Sequence, residues 1–343
     1  MKAVIFKDVG QFEVIEKPIP EIKNPGELLV CIEAASICGS DIHILADPPT
    51  APAKIGAVLG HEFVGRIEKV GEGVVDFKPG DRIVCDPNIP CDLCHQCMSG
   101  RSNLCTNVYV LGQQVDGGFA QYCIVPQKVA VKIPEDLPAE TAIFAEPMIA
   151  VMGAINKAKL LPGENVLIQG LGPMGMYLSA IFKANGAGRV FATEISEFRS
   201  QYASKMGVDR LIHPEKENVK DVIMEETGGV GVEVVVECVG VLLPQAMECV
   251  GRGGKIVLIG MNYAASQTIV QNTITRNEFT ILGSYIGANM LVPTVRLLET
   301  DFGKSLQQLI THKISIEDFG VGLEAMRKGE ALEVVIYPNG VPE

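Results

Sequence analysis

Four cysteines fall within fifteen residues of PCDLCHQCMSGRSNLC, where Cys91, Cys94, Cys97 and Cys105 give the spacing C-x2-C-x2-C-x7-C. Four thiolates so placed can close a tetrahedron around Zn²⁺ and leave no position for water, which predicts a structural site. Iron–sulfur ligation is the competing use of three cysteines at x2 spacing; the long last gap and the lack of a following proline weigh against it. A second set is dispersed: Cys38 in SICGSDIHIL, His61 and Glu62 in GHEFVG, and Glu146 in FAEPM. Thiolate, imidazole and carboxylate from three segments can make a catalytic zinc site that keeps a position for water or substrate. No single spacing joins them. A third set is VLIQGLGPMG, in which Gly170, Gly172 and Gly175 form G-x-G-x-x-G between a strand-like run and a helix-like one. There the glycines allow a tight turn, approach of backbone to a pyrophosphate, and close helix–strand packing.

That last motif predicts an acidic residue about 20 positions on, ending the next strand, to bind a ribose hydroxyl. Glu194 in RVFATEIS lies 19 residues after Gly175. A carboxylate there would repel a 2′-phosphate, which favours NAD over NADP; a solvated strand end is the alternative reading. Arg199, five residues further, is a cofactor-binding candidate that counts against this preference, because a guanidinium there can meet such a phosphate.

These residues need elements to position them. Up to about residue 135 the chain offers short β-type runs (KAVIF, ELLVCIEAAS, FVGRIEKVG, DRIVCD, AQYCIVP) broken by Gly, Pro and Asp. From about residue 162 nearly continuous apolar strands such as NVLIQG, RVFATE, VEVVVECVG, KIVLIGM and FTILGSY alternate with helix-like segments, EFRSQYASKMG among them. Alternation of that kind predicts a doubly wound parallel sheet, and the fold class is α/β. Beyond about residue 287 the pattern reads as helices, one running through SLQQLITH and one over EDFGVGLEAMRKG, then a last strand EVVIYP. This tail is too short for its own core and is expected to complete the first domain.

Bulk composition excludes several classes. At 343 residues the chain suggests two domains. A net charge of -12 would repel phosphate backbones and anionic lipid, so nucleic acid is not an expected partner. No apolar stretch approaches bilayer-spanning length, and MKAVIFKDVG lacks the features of a signal peptide, which predicts a cytoplasmic protein. The five isolated cysteines, Cys31, Cys85, Cys123, Cys238 and Cys249, sit among apolar or small residues and are expected to be packed thiols.

Taken in chain order, the C-G-S-D-x-H run at Cys38–His43, the G-H-E-x-x-G run at Gly60–Gly65, the four-cysteine lobe and the glycine fingerprint resemble the zinc-containing medium-chain dehydrogenases, the family of alcohol, polyol and threonine dehydrogenases. The resemblance covers essentially the whole chain. It implies a GroES-like catalytic domain over residues 1–150, completed by 288–343, and a Rossmann NAD-binding domain over 151–287. By the same resemblance each chain holds two zinc ions. Cys38 and His61 bind the catalytic one, with Glu62 and Glu146 sharing or exchanging the remaining position. Ser40 serves the substrate hydroxyl and His43 the solvent end of a proton relay; a serine in a turn and a surface histidine are the plainer readings of that pair. Horse-liver-type alcohol dehydrogenases carry a cysteine where Glu146 falls, so the chain looks closer to the polyol and threonine branch.

The implied reaction is hydride transfer from a secondary alcohol, such as a polyol or sugar acid, to NAD⁺. L-Threonine and a simple alcohol are the alternative substrates. A zinc- and nucleotide-binding redox sensor is the non-enzymatic alternative, and a homodimer or homotetramer is the expected assembly.

Overall fold

The computed structural model describes residues 1–262 and 264–342. Two compact units emerge, one made of Met1–Ile149 with Ala288–Glu343 and the other of Ala150–Gly287.

The first unit is built on a seven-stranded sheet whose central strand is Glu27–Ser36. That strand pairs antiparallel with Glu62–Val70 along one edge; along the other it meets Tyr122–Pro126 and, at its end, the C-terminal strand Glu333–Tyr337. The register sets Ser36 opposite Glu62 on one side and opposite Val335 on the other. Because side chains alternate along a strand, Glu333, two residues before Val335, shares a face with Ser36 and Glu62. Val30, Ile32, Phe63, Ile67, Ile83 and Phe119 fill the core beneath, where Phe119 and Phe319 pack with ring centroids 5.2 Å apart. Gly60 enters this core at φ +89°, and a Cβ there would stand 2.3 Å from the Phe119 ring. Glycine is required both by the backbone conformation and by the ring, and the bend it permits delivers His61 and Glu62 to the start of their strand.

The chain end departs from the sequence pattern. Instead of continuing as helix through SLQQLITH, it is helical over Asp301–Leu306 and then forms a strand at Ile310–Ser315, parallel to Glu333–Tyr337. Ile310, Thr311 and Ile314 are β-branched and suit an extended backbone. Their partner strand lies more than twenty residues away and supplies hydrogen bonds that periodicity cannot reveal.

In the second unit six parallel strands follow the order Arg210–Ile212, Val190–Thr193, Val166–Gln169, Val232–Glu237, Val250–Leu258, Thr280–Gly283. The first to form in the chain, Val166–Gln169, lies in the middle, so the winding reverses at its carboxyl end. Its four residues and those of Val190–Thr193 are all buried, as helices on both faces require. EFRSQYASKMG is less helical than its pattern suggests: only Glu197–Ser200 forms a helix, and a 3₁₀ turn at Ser204–Met206 ends on Gly207 at φ +78°. No helix among the described residues is long and apolar enough to cross a membrane.

Candidate functional site

In the first unit the dispersed residues meet. Cys38 precedes the short helix Gly39–Ile44, which is tied at its start by the Cys38 N–H donating to Asp41 Oδ2 at 2.9 Å. His61 and Glu62 arrive from the neighbouring strand and are 6% and 3% exposed. Donor atoms of Cys38, His61 and Glu62 all lie within 4.8 Å of one another. Glu146, in the first turn of the Ala145–Ala158 helix, stands outside that group of three but close enough for its charge to act on all of them.

The electrostatics of this cluster have one cause. Burial, reinforced by Asp41 and Glu146, pushes the Cys38 thiol up to about 12. Burial also holds the Glu62 carboxyl well above its usual range, with Cys38, Glu333 and Glu146 adding to the effect, and raises Glu146 to about 7. For His61 burial opposes the charged form, yet Asp41, Glu146 and Glu62 outweigh it and the imidazole is raised. Every acid in the cluster is driven toward its protonated form because negative charge is crowded in a dry place. A divalent cation among the three donors would supply the charge these groups otherwise take up as protons.

Two further atoms bear on the fit. Asp41 is fully buried, and its Oδ1 and the Nδ1 of His61 stand 3.7 Å apart with no hydrogen-bond partner for either. Small closure would let Nδ1–H donate to Oδ1, which orients the ring with Nε2 toward the donor group, the usual carboxylate–histidine support of a metal. At present Nε2 is shared with the Ser40 hydroxyl at 3.1 Å. Ser40 and His43 are one turn apart on the same short helix, and His43 Nδ1 bonds the Thr50 hydroxyl at 2.9 Å.

Three participants were not picked out from the sequence: Asp41, Thr50 and Glu333. Asp41 does lie within the C-G-S-D run, three residues after a cap position, which is a readable signal. Glu333 had none, since it reaches the cluster only through the sheet. The Ser36 hydroxyl donates to its carboxylate, and it is 3% exposed.

The four-cysteine lobe is a separate, local arrangement. Its ligand atoms also lie within 4.8 Å of each other, and the Cys94–Cys97 and Cys94–Cys105 sulfur pairs are 3.5 and 4.0 Å apart. Tetrahedral Zn²⁺ with bonds of about 2.3 Å needs sulfur–sulfur edges of roughly 3.8 Å. Backbone N–H groups of Cys91, Cys94 and Asn107 donate to the sulfurs of Cys105, Cys91 and Cys105 at 3.3–3.4 Å. Hydrogen bonds from the backbone lower Cys94 to about 5. All ten cysteines are free thiols. Of the five isolated ones, Cys85, Cys123 and Cys249 are buried, while Cys31 and Cys238 keep partial exposure.

In the second unit the glycine fingerprint sits at the carboxyl end of Val166–Gln169, where the strand order reverses. Gly170 has φ +91°, and a Cβ on Gly175 would lie 1.9 Å from the Gly170 carbonyl oxygen. Gly172 caps the Pro173–Ala184 helix, whose first N–H groups point out of the turn. Glu194 is 5% exposed, and its carboxylate accepts N–H bonds from Leu171 at 2.9 Å on one oxygen and from Ile195 and Ser196 at 2.9 and 2.8 Å on the other. It therefore braces the turn and retains capacity for about one more donor. The Arg199 guanidinium lies 3.9 Å from where a Gly172 side chain would begin, and its Nε is buried without a partner. A cradle lined by open glycines, a helix N-terminus, an acid and a cation fits a dinucleotide.

Residues 24–135 match the alcohol dehydrogenase GroES-like domain and residues 173–300 the zinc-binding dehydrogenase domain. The chain is 33% identical to the sorbitol dehydrogenase of Bacillus subtilis over 346 residues, covering 99% of this chain and 98% of that one. It is 32% identical to the L-threonine 3-dehydrogenase of Caldanaerobacter subterraneus over 333 residues, 95% of each. The chain belongs to the zinc-containing alcohol dehydrogenase family. A zinc-binding dehydrogenase of Sinorhizobium meliloti, solved with NADP bound, superposes with a TM-score of 0.92 at 31% identity over 98% of this chain and 99% of that one. As a member of this family the protein is an oxidoreductase that works with zinc and a nicotinamide dinucleotide.

Proposed function

We propose that the protein oxidises the secondary alcohol of a small polar molecule to a ketone with NAD⁺, in the cytoplasm and as a homo-oligomer. The carrying observation is the convergence of Cys38, His61 and Glu62 within 4.8 Å in a buried place. These three are assigned to the catalytic zinc, with Glu146 as the outer carboxylate, and the four cysteines of the lobe to the structural zinc. A zinc ion so held would act as a Lewis acid on the alcohol oxygen, and the nicotinamide would take the hydride.

What the chain's own residues do follows from their positions. Ser40 and a metal compete for the same imidazole nitrogen, Nε2 of His61. Engagement of that nitrogen releases the serine hydroxyl to accept the proton leaving the substrate. His43, exposed one turn later, passes the proton to water, since an imidazole has two ring nitrogens and can take a proton on one while the other keeps its hydrogen bond. Glu194 keeps one acceptor position for a ribose hydroxyl and its charge disfavours a 2′-phosphate, while Arg199 holds the cofactor close to the glycine turn.

A polyol, sugar acid or related alcohol is the first substrate reading. L-Threonine is the second, favoured by relatives of that activity at comparable identity. Purified protein assayed for NAD⁺ and NADP⁺ reduction across sorbitol, other polyols, sugar acids, vicinal diols and L-threonine tests this. Turnover on L-threonine alone would replace the first reading by the second. Absence of turnover on the whole panel, with a single zinc per chain, would replace both by the redox-sensor reading.

A further inference from the structure

The relay histidine is held at two points by one residue. Thr50 donates its backbone N–H to the His43 carbonyl oxygen at 3.0 Å, and its hydroxyl lies 2.9 Å from His43 Nδ1. On either side of Thr50 the chain is anchored, before it by Arg327 Nη2 donating to the Leu45 carbonyl at 2.7 Å and after it by the Lys54 N–H donating to the Gln113 carbonyl at 2.8 Å. Thr50 is therefore not on a loose segment, and the imidazole cannot turn without breaking the contact to Oγ1.

A neutral imidazole carries one N–H, and the nitrogen without it is the acceptor. We propose that Thr50 is the positioning residue of the proton relay: its hydroxyl oxygen accepts from His43 Nδ1–H, which fixes the tautomer whose Nε2 is free to take the proton. This rests on the relay role assigned to Ser40 and His43 above. In the step itself the proton released by the substrate arrives on Nε2 and gives the imidazolium. That same Nε2–H is then lost to solvent water, while Nδ1–H stays on Thr50, so the histidine returns to its starting tautomer and no other bond changes.

The test uses the zinc-loaded enzyme with its best alcohol and NAD⁺. Thr50→Val keeps the shape and removes the acceptor; it is expected to lower kcat about 5- to 10-fold with KM changed less than twofold, as loss of one oriented hydrogen bond would. Thr50→Ser, which keeps the hydroxyl, should stay within about twofold of the parent. In a His43→Ala background Thr50→Val should add nothing, whereas a purely structural loop role would persist there. Long-range ¹H–¹⁵N spectra, recorded at a pH where the His43 signals no longer move with further base, should show it as the Nδ1–H tautomer, shifting toward Nε2–H in Thr50→Val. An Nε2–H tautomer in the parent protein, or a Thr50→Val effect of equal size with and without His43, overturns the proposal. If His43→Ala itself leaves kcat unchanged, it is the relay reading that fails. If His43→Ala slows turnover and Thr50→Val does not, Thr50 alone is removed.

Discussion

Two clusters in the first unit offer metal ligands at the same mutual distance, within 4.8 Å, in opposite surroundings. Cys38, His61 and Glu62 come from a helix start and a strand start and lie in the interior, where burial drives the thiol up to about 12. Cys91, Cys94, Cys97 and Cys105 come from one fifteen-residue stretch in which the first three keep partial exposure and only Cys105 is buried; Leu93 and Met98 beside them are 84% and 76% exposed. Backbone N–H groups wrap these sulfurs and lower Cys94 to about 5. The lobe is made for a metal by its own local backbone. The buried cluster is assembled by the sheet, and its donors are brought together by the packing of separate chain segments. One is suited to shaping a loop and the other to holding a reactive ion in the interior.

The sharpest way to break this contrast is to exchange the consequences of damage. Cys38→Ala is expected to abolish turnover, by about three orders of magnitude or more, since the assigned metal supplies several kcal/mol of barrier lowering. Its zinc content should fall from two to one per chain and its melting temperature should barely move. Metal analysis alongside calorimetry reads both; a large stability loss with turnover retained would mean that the two roles have been assigned the wrong way round.

Asp41→Asn probes the support behind the buried cluster. Loss of an outer-sphere partner commonly costs about 10- to 100-fold in metal affinity or activity. Competition with a chromophoric chelator should show weakening of that order at the buried site alone. An unchanged affinity would detach Asp41 from His61 in function despite the two unpaired atoms that face each other.

Cys94→Ala should do the reverse of Cys38→Ala, removing the lobe ion and lowering the melting temperature by about 5 °C or more, because the loop loses the centre around which it folds. Turnover per folded molecule should remain within a few-fold. Complete loss of turnover at preserved stability would join the lobe to the chemistry.

Acid gives the smallest and most graded contrast. Groups in the buried cluster have raised pKa values without metal, so below those values a binding ion must displace protons, and affinity rises with pH. Cys94, lowered to about 5, is already a thiolate at neutral pH, while Cys97, raised to about 12 by burial and its thiol neighbours, keeps a proton for the ion to displace. The lobe thus offers an ion one thiolate already formed, which the raised groups of the buried cluster do not. Equilibrium dialysis from pH 8 down to pH 6 should therefore strip the buried ion first, and loss of the lobe ion first would overturn this account of the difference.

What could be read in advance follows the same division. The sequence by itself determined the elements whose cause is local: four cysteines at loop spacing, a glycine fingerprint after an apolar strand with an acid 19 residues on, and a βαβ alternation that leaves few ways to wind. It did not determine the strand at Ile310–Ser315, read there as helix, because its hydrogen-bond partners come from Glu333–Tyr337. Nor did it choose between Glu62 and Glu146, since both are carboxylates at plausible distances along the chain. Only the tertiary structure brought Glu62 in with Cys38 and His61 and left Glu146 outside, by pairing Ser36 against Glu62 in the sheet and starting a helix at Ala145. The same sheet register put Glu333 on their face. Spacing along a chain is a one-dimensional fact that suffices where a site closes within a single loop; where the donors are separated by strands and turns, the sheet register and helix placement decide which of them meet.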